Sequence, residues 1–569
     1  MCKKLLEYVK NNKILILVIA VGFFYRIYGI YFDYPLGVNS IWDETYNMSY
    51  TIDLLQHRSF IQAFGPYPIL LPLLYIPVVI FKILYLMLVN HLTSVDSLTN
   101  FLSANGLGYI HIVSRWYSVF FGTATIFLVY KISNLIFKSR LSGYFAALVY
   151  AVSLAPLAMA HWGKAHTVMV FFFILSLFYA LKYEEKKEIR FFYLSVLTAG
   201  FSLSIHYIGI ASFIFPLTAL IFNWKLIDRK IIIKSFLISL TIVIVFFGPN
   251  IKGMSNMFAR DIGKITGNNF MGMFPAGNLE RFYYEWRDSF MVEPIFVALF
   301  VILLLFKGKK IWGNVYIRYV LIGLAFYYLL MATVFAAPFI IRWLLAFIIL
   351  LIIISAGYLA DYLSKTKLPP KIIWLILLIL ILPNAFFSYR WNMLLNDYTR
   401  NEAAKWLESN LSRDEVAYSF DFYLDVPLSY KAARWQKEKN MVTGSKKIDY
   451  ILNHKENYLN HGVNLLYDLG FERYEELGGS NTKYIINAYW ESGAKNKRYD
   501  IPTRQSTQEI IEKVKKYHRI ELKQIFYPTE NKKLIETGVN DYLNNPLDML
   551  PLVFLDKSGP FIEIYEVLK

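Results

Sequence analysis

The sequence predicts a polytopic all-α membrane domain of about eleven transmembrane helices, followed by an extracytoplasmic α/β domain. Three observations carry this expectation. The 569 residues are 56% hydrophobic and 18% aromatic, with a mean hydropathy of +0.39. A soluble chain this apolar would expose patches it could not keep in solution. Apolar runs close to the ~20 residues that cross ~30 Å of hydrocarbon recur as far as residue 390. After Tyr389 they stop, and roughly 180 residues of mixed character follow, ample for a separate domain.

The runs lie near 14–31, 67–89, 109–137, 141–160, 166–181, 191–222, 232–248, 294–306, 315–337, 341–362 and 372–389. Lys3, Lys4, Lys10 and Lys13 precede the first and hold that end in the cytoplasm. Basic connections recur at Lys138/Arg140, Lys182–Arg190, Lys225–Lys234, Lys307–Lys310 and Lys365–Lys371, and these too belong inside. Parity then requires that 67–89 stay on the outer face and that 191–222 cross twice as a helix pair. Pro68, Pro72 and Pro77 suit a kinked interfacial or re-entrant helix at 67–89. The membrane domain is thus 1–390, with external loops at 33–108 and 250–292. The external domain is 391–569. In it "NEAAKWLESNL" and "TQEIIEKVKKYH" read as helices, "KYIINAYW" and "FIEIYEVL" as strands.

The net charge is +17, but the cations sit in short connections that set topology, and no basic, aromatic-lined platform for nucleic acid appears. Cys2, the single cysteine, rules out intramolecular disulfides. It also precedes the first apolar run, so the start is not read as a cleaved signal peptide. The expected location is the cytoplasmic membrane, with the N-terminus inside and the C-terminal domain outside.

Chemistry is sought on the outer face. Asp43 and Glu44 follow the first membrane helix by about a dozen residues, where paired carboxylates fit acid–base work on a substrate arriving from the lipid. An acidic solvated loop is the bland account. Arg115 lies at the outer end of an otherwise apolar helix, a functional candidate unless it snorkels. "PLAMAHWGKAHTVMVFF" puts His161, Lys164 and His166 at an outer turn. The two histidines, five residues apart, do not share a helical face cleanly, so anion binding by Lys164 is preferred to a metal. His206 sits mid-run in 191–222, where a satisfied core histidine competes with substrate lining. Arg342 brings another guanidinium to the outer face. Cations at hydrocarbon depth suit an anionic leaving group such as a lipid phosphate.

At these residues the chain resembles the GT-C superfamily of membrane glycosyltransferases, in the protein O-mannosyltransferase and aminoarabinose-transferase-like branch. The family's "DE…Y" is matched by Asp43, Glu44 and Tyr46, and a proline-rich juxtamembrane helix by "YPILLPLLYIP". An "R..S...G......Y......F" helix is matched by Arg115, Ser118, Gly122, Tyr130 and Phe137, and an "AAL……P" span by Ala146, Ala147, Leu148 and Pro156. Later, Arg342 to Leu345 match an "RYLLP"-like start, with Ala346 replacing the proline. Asp397, Arg400 and Trp406 match the junction into the external domain. Where many members carry an aspartate after the "P" span, this chain has Lys164, His166 and Thr167. "YWESG" from Tyr489 to Gly493 only faintly echoes the "WWDYG" of oligosaccharyltransferases and reads as a strand end.

The resemblance implies a polyprenyl-phosphate sugar donor and inverting displacement at the anomeric carbon. Asp43 would be the general base and Glu44 its neighbour in positioning. Arg115 would bind the donor phosphate, with Lys164 and Arg342 as further phosphate ligands. Tyr46, His161, His166 and His206 are candidate lining residues. The acceptor could be lipid, glycan or protein. No metal ligand set is identified, and a divalent cation remains open. A lipid-linked sugar transporter without transfer chemistry is the main rival, but the paired repeats usual in transporters are not seen.

Overall fold

A computed structural model describes residues 12–32, 34, 46–57, 68–105, 108–250, 286–333, 341–419, 426, 428–438, 446–453, 455, 463–467, 481–489, 504–531 and 550–568. Helix α1 (Lys13–Ile27) is followed by α2 (Tyr46–His57), α3 (Leu70–Val89) and α4 (Val95–Asn105). The bundle continues with α5 (Gly108–Phe137), α6 (Arg140–Val152), α7 (Leu154–His161), α8 (Ala165–Lys186) and α9 (Ile189–Ile205). A 3-10 turn, Tyr207–Phe213, leads into α10 (Ile214–Phe222). Then come α11 (Arg229–Phe247), α12 (Pro294–Gly313), α13 (Val315–Thr333), α14 (Ile341–Ser364) and α15 (Pro370–Asn396).

The described helices run between two ends of a bundle. The basic connections collect at one of them. Lys187 pairs with Glu184 at 2.5 Å and reaches Asn223 at 2.7 Å. The Tyr319 hydroxyl donates to Glu184 at 3.0 Å, Lys138 lies 3.5 Å from Glu185, and Asn314 Nδ2 donates to the Ile136 carbonyl at 3.4 Å. Among the described helices six are each long and apolar enough to cross a membrane, seven if α6 and α7 form one bent span.

Helix α3 is one of those six by length and composition, yet both its ends meet the end opposite the lysines. The Ile69 amide donates to the Phe246 carbonyl at 3.1 Å, the Tyr117 hydroxyl donates to the Leu74 carbonyl, and Tyr85 neighbours Tyr34, which packs on Tyr109. The prolines break it less than expected. Pro68 precedes the helix and Pro72 falls in its first turn, where amides have no intrahelical acceptor. Only Pro77 lies inside.

Pro156 explains the break between α6 and α7, which bend by 54°. In a continuous helix its ring would strike the carbonyl of Val152 and remove that carbonyl's donor. The helix stops at Val152 and restarts so that Pro156 sits in a first turn. Side chains then take the four carbonyls left over. Ser153 Oγ donates to Val149 at 2.9 Å, Arg26 donates to Ala151 at 2.9 Å and to Tyr150 at 3.3 Å, and Ser388 Oγ donates to Val152 at 2.7 Å.

The run 191–222 splits at His206 into α9 and the 207–222 helix, two short helices rather than two full crossings. They fold back tightly. Gly209 lies against the Ser202 backbone, where any Cβ would collide, and Ser212 Oγ donates to the Ala199 carbonyl at 3.2 Å. His206 therefore lies at a hairpin tip, not mid-helix.

The C-terminal region is a small α/β unit. Strands β1 (Val416–Ser419), β2 (Leu465–Tyr467), β3 (Thr482–Tyr489), β4 (Ile520–Phe526) and β5 (Phe561–Val567) form one mixed sheet in the order β2-β1-β3-β5-β4. Strand β1 is parallel to β2 and β3, and β5 is antiparallel to β3 and β4. Alternation along β3 feeds two cores. Tyr484, Ile486 and Ala488 pack with Ala403 and Leu407 of α16 (Thr399–Asn410). Ile485 packs with Ala432 of α17 (Tyr430–Glu438) and with Ile511 and Val514 of the 504–515 helix. The anticipated helices and strands fall on α16, the 504–515 helix, β3 and β5. Gly493 lies outside the described residues.

Candidate active site

The end opposite the lysines is built around the exit of α1. A helix leaves its last carbonyls without donors, and here residues from other helices supply them. Asn392 Nδ2 donates to the Tyr25 carbonyl at 2.7 Å, and His161 Nε2 to that of Tyr28 at 2.8 Å. Arg115 Nη1 donates to the carbonyls of Ile30 at 3.0 Å and Phe32 at 2.7 Å, and its guanidinium lies 3.8 Å from the Phe32 ring centre. Gly29 turns the chain at φ +85° against Leu395, a conformation that side chains disfavour. Next along, burial and then its tyrosine neighbours push the Tyr34 phenol up to about 12, so it stays neutral. The segment carrying Asp43 and Glu44 thus leaves from a pinned base. Asp43 and Glu44 themselves lie outside the described residues. Tyr46 opens α2, and its side chain is likewise outside them.

A second group converges from three elements. Lys164 precedes α8 with its ammonium 5.0 Å from the Trp162 ring. His166, in the first turn of α8, faces His206 of the hairpin tip at 4.5 Å between ring centres and Trp343 of α14 at 6.0 Å. Tyr207 stacks on His206 at 4.3 Å. Arg342 lies 5.9 Å from the Trp343 ring and, like Lys164, within electrostatic reach of His166. Lys164, His166 and His206 are each less than 5% exposed. Neither ring nitrogen of His166 has a hydrogen-bond partner among the described residues. His206 Nδ1 is taken by the Ile208 amide at 3.3 Å.

The α5 motif residues link the two groups. Arg115 grips the α1 exit. One turn on, Ser118 Oγ donates to the Trp162 carbonyl at 2.7 Å, which fixes the turn that presents Lys164. Gly122 admits Ala160 and Arg26 to the α5 backbone. Tyr130 stacks on Tyr144 at 5.1 Å, and Phe137 meets Tyr358 at 6.3 Å. The spacing reads as one buried face of α5.

Several of these side chains have partners within the protein. Arg115 is buried rather than snorkelling, and its Nη1 donates to two backbone carbonyls. His161 has Nδ1 3.0 Å from the Leu157 carbonyl and Nε2 on Tyr28, with Trp391 packed edge-on at 5.2 Å. It fastens the α1 exit to α7. Sequence reasoning missed Arg26, fully buried within the first apolar run, although a charge inside such a run was the available signal. Trp343 was missed as well, because an aromatic in an apolar run is unremarkable by pattern. Among the described residues no group of three or more histidine, cysteine, aspartate or glutamate side chains could hold a metal ion.

Buried helices and a capped helix break thus bring Lys164, His166, His206 and Arg342 together at one end of the bundle. Residues 107–251 match the family model described as dolichyl-phosphate-mannose-protein mannosyltransferase. This match spans α5 to α11 of the chain. No curated protein sequence matches it. Among solved structures it is similar to the archaeal oligosaccharyltransferase AglB from Archaeoglobus fulgidus in complex with an inhibitory peptide and a dolichol-phosphate. The identity there is 12%, covering 99% of this chain and 89% of that one, at a TM-score of 0.48. It is also similar to ArnT from Cupriavidus metallidurans bound to undecaprenyl phosphate, at 10% identity over 83% of this chain and 92% of that one, with a TM-score of 0.43.

Proposed function

We propose that this protein transfers a sugar from a polyprenyl-phosphate-linked donor to an acceptor at the outer face of the cytoplasmic membrane. The reaction is an inverting displacement. Asp43 takes the proton of the acceptor hydroxyl as that oxygen attacks the anomeric carbon, and Glu44 orients acceptor or donor. The bond from sugar to phosphate breaks, leaving polyprenyl phosphate.

Lys164 and Arg342 hold the departing phosphate, and His166 and His206 line it beside Trp343. In a low-dielectric setting these cations stabilise the charge that develops on the leaving group. Arg115, first read as a phosphate ligand, is assigned instead to holding the α1 exit, from which the acidic pair is launched. His161 shares that positioning task. The single observation that carries the reading is His166, buried between two cations with both ring nitrogens unpartnered among the described residues. A buried polar group in that state calls for a ligand.

The rival reading, a transporter, draws on the α6–α7 break, since broken helices build transport sites. Here the freed carbonyls are capped by Arg26, Ser153 and Ser388, which leaves them little to offer a passing substrate. Turnover decides between the two. Purified protein in lipid vesicles, given a radiolabelled polyprenyl-phosphate sugar and candidate acceptors, should release polyprenyl phosphate. Binding of the lipid with no release for any acceptor would favour the transporter.

A further inference from the structure

The external domain returns to the membrane helices through residues 550–555. Arg390, near the end of α15, donates from Nε to the Leu552 carbonyl at 3.2 Å and from Nη2 to that of Leu555. Leu552 and Leu555 are buried in the same apolar cluster as the membrane helices. Val553 and Phe554 between them are 39% and 53% exposed.

Their depth follows from α15. Most of its exposed apolar residues, among them Ile372, Leu375, Ile379, Leu382, Phe386 and Tyr389, recur at steps of three and four, an outward stripe on an apolar helix. From Ile372, beside the basic connection at Lys371, to Arg390 the axis rises about 27 Å at 1.5 Å per residue. That is close to the ~30 Å thickness of the hydrocarbon. Arg390 therefore stands at the far hydrocarbon boundary, and its two hydrogen bonds hold residues 552–555 at the same level.

We propose that Val553 and Phe554 form an interfacial wedge by which the external domain rests in the lipid. The occupant of this surface is the boundary between headgroups and acyl chains. Two arguments single it out. The pair sits between the two carbonyls held by Arg390, the residue that follows Tyr389 at the end of the lipid-facing stripe of α15. Aromatic side chains at that depth are favoured because an apolar body meets acyl chains while polar neighbours stay hydrated. The residues that follow are polar and engaged with their own domain: Asp556 accepts from the Glu530 amide at 3.2 Å and Lys557 pairs with Glu402 at 2.6 Å. The wedge would fix the height of the external domain over the site, and it holds whether or not that site transfers sugar.

The test uses full-length protein in phosphatidylcholine–phosphatidylglycerol vesicles, with Cys2→Ser to remove the native thiol. A nitroxide on Phe554→Cys is compared with one on Lys516→Cys, an exposed position in the same domain. Collisions with oxygen, which partitions into lipid, should exceed those with a water-soluble nickel chelate several-fold more at 554 than at 516. Water-like collisions at 554 would overturn the proposal. Shielding from both reagents would overturn it too, since protein rather than lipid would then cover the pair. Val553→Cys serves as the second probe should Phe554→Cys fail to fold.

Discussion

Arg115 donates to the carbonyl oxygen of Phe32 at 2.7 Å and lays its guanidinium on the ring of the same residue. One side chain thus fixes both the backbone and the orientation of the segment leaving the first membrane helix.

If Arg115 positions the acidic pair, its loss should slow chemistry more than it weakens donor binding. Two charge-assisted hydrogen bonds, each about 1.5–3 kcal/mol, are at stake. Arg115→Ala should lower kcat by at least about 100-fold, by the conversion of about 1.4 kcal/mol per decade, with donor KM within about threefold. Arg115→Lys should recover part of the rate. Steady-state kinetics against donor concentration check this, and a raised KM at unchanged kcat would return Arg115 to the phosphate.

Lys164 and Arg342 should show the opposite pattern. Each alanine variant should weaken donor binding by about 10- to 100-fold, the range of a charge-assisted contact. The double variant should lose less than the product of the two, because both act on one anion. Binding of fluorescent polyprenyl phosphate would measure it, and strict additivity would argue against a shared ligand.

His166→Phe keeps volume and aromatic packing against Trp343 but removes both ring nitrogens. Turnover should fall while thermal stability holds or rises, since an unpartnered buried polar group is costly until its ligand arrives. Unchanged turnover would make His166 a packing residue.

Arg26→Met should destabilise the fold without a matched loss of donor affinity. It strips donors from the carbonyls of Tyr150 and Ala151 at a buried break. A cost of about 2–4 kcal/mol follows from leaving two buried acceptors unpaired. Ser388→Ala, which frees only the Val152 carbonyl, should cost about 1 kcal/mol. Thermal unfolding in detergent ranks the two, and an equal effect would refute the capping scheme.

Gly209→Ala should be the most damaging small change. Its Cβ would run into the Ser202 backbone, so the α9 hairpin must open and carry His206 away from His166. Loss of folded protein on size-exclusion chromatography is expected. A stable, active variant would mean the hairpin is looser than its packing implies.

Much of this architecture is legible in local pattern. Apolar runs and lysine clusters report what each stretch of chain meets, lipid or water, and that depends on the stretch alone. The gathering of the basic connections at one end of the bundle follows from that accounting. Proline reads less directly: Pro72 is harmless because it falls in a first turn, whereas Pro156 breaks a span. The same residue acts oppositely according to where a helix begins, which packing helps decide. The run 191–222 shows the same limit, since apolar content alone does not say that Gly209 lets two short helices close on each other.

By itself the sequence determined the class of molecule, the two ends of the bundle and which charged residues gather at one of them, because hydropathy and charge are properties of residues in order. Only the tertiary structure decided what each of those residues holds. Arg115 and Phe32 are 83 positions apart, and His161 and Tyr28 are 133 apart. Partners that distant meet through the packing of whole helices, which no local spacing encodes.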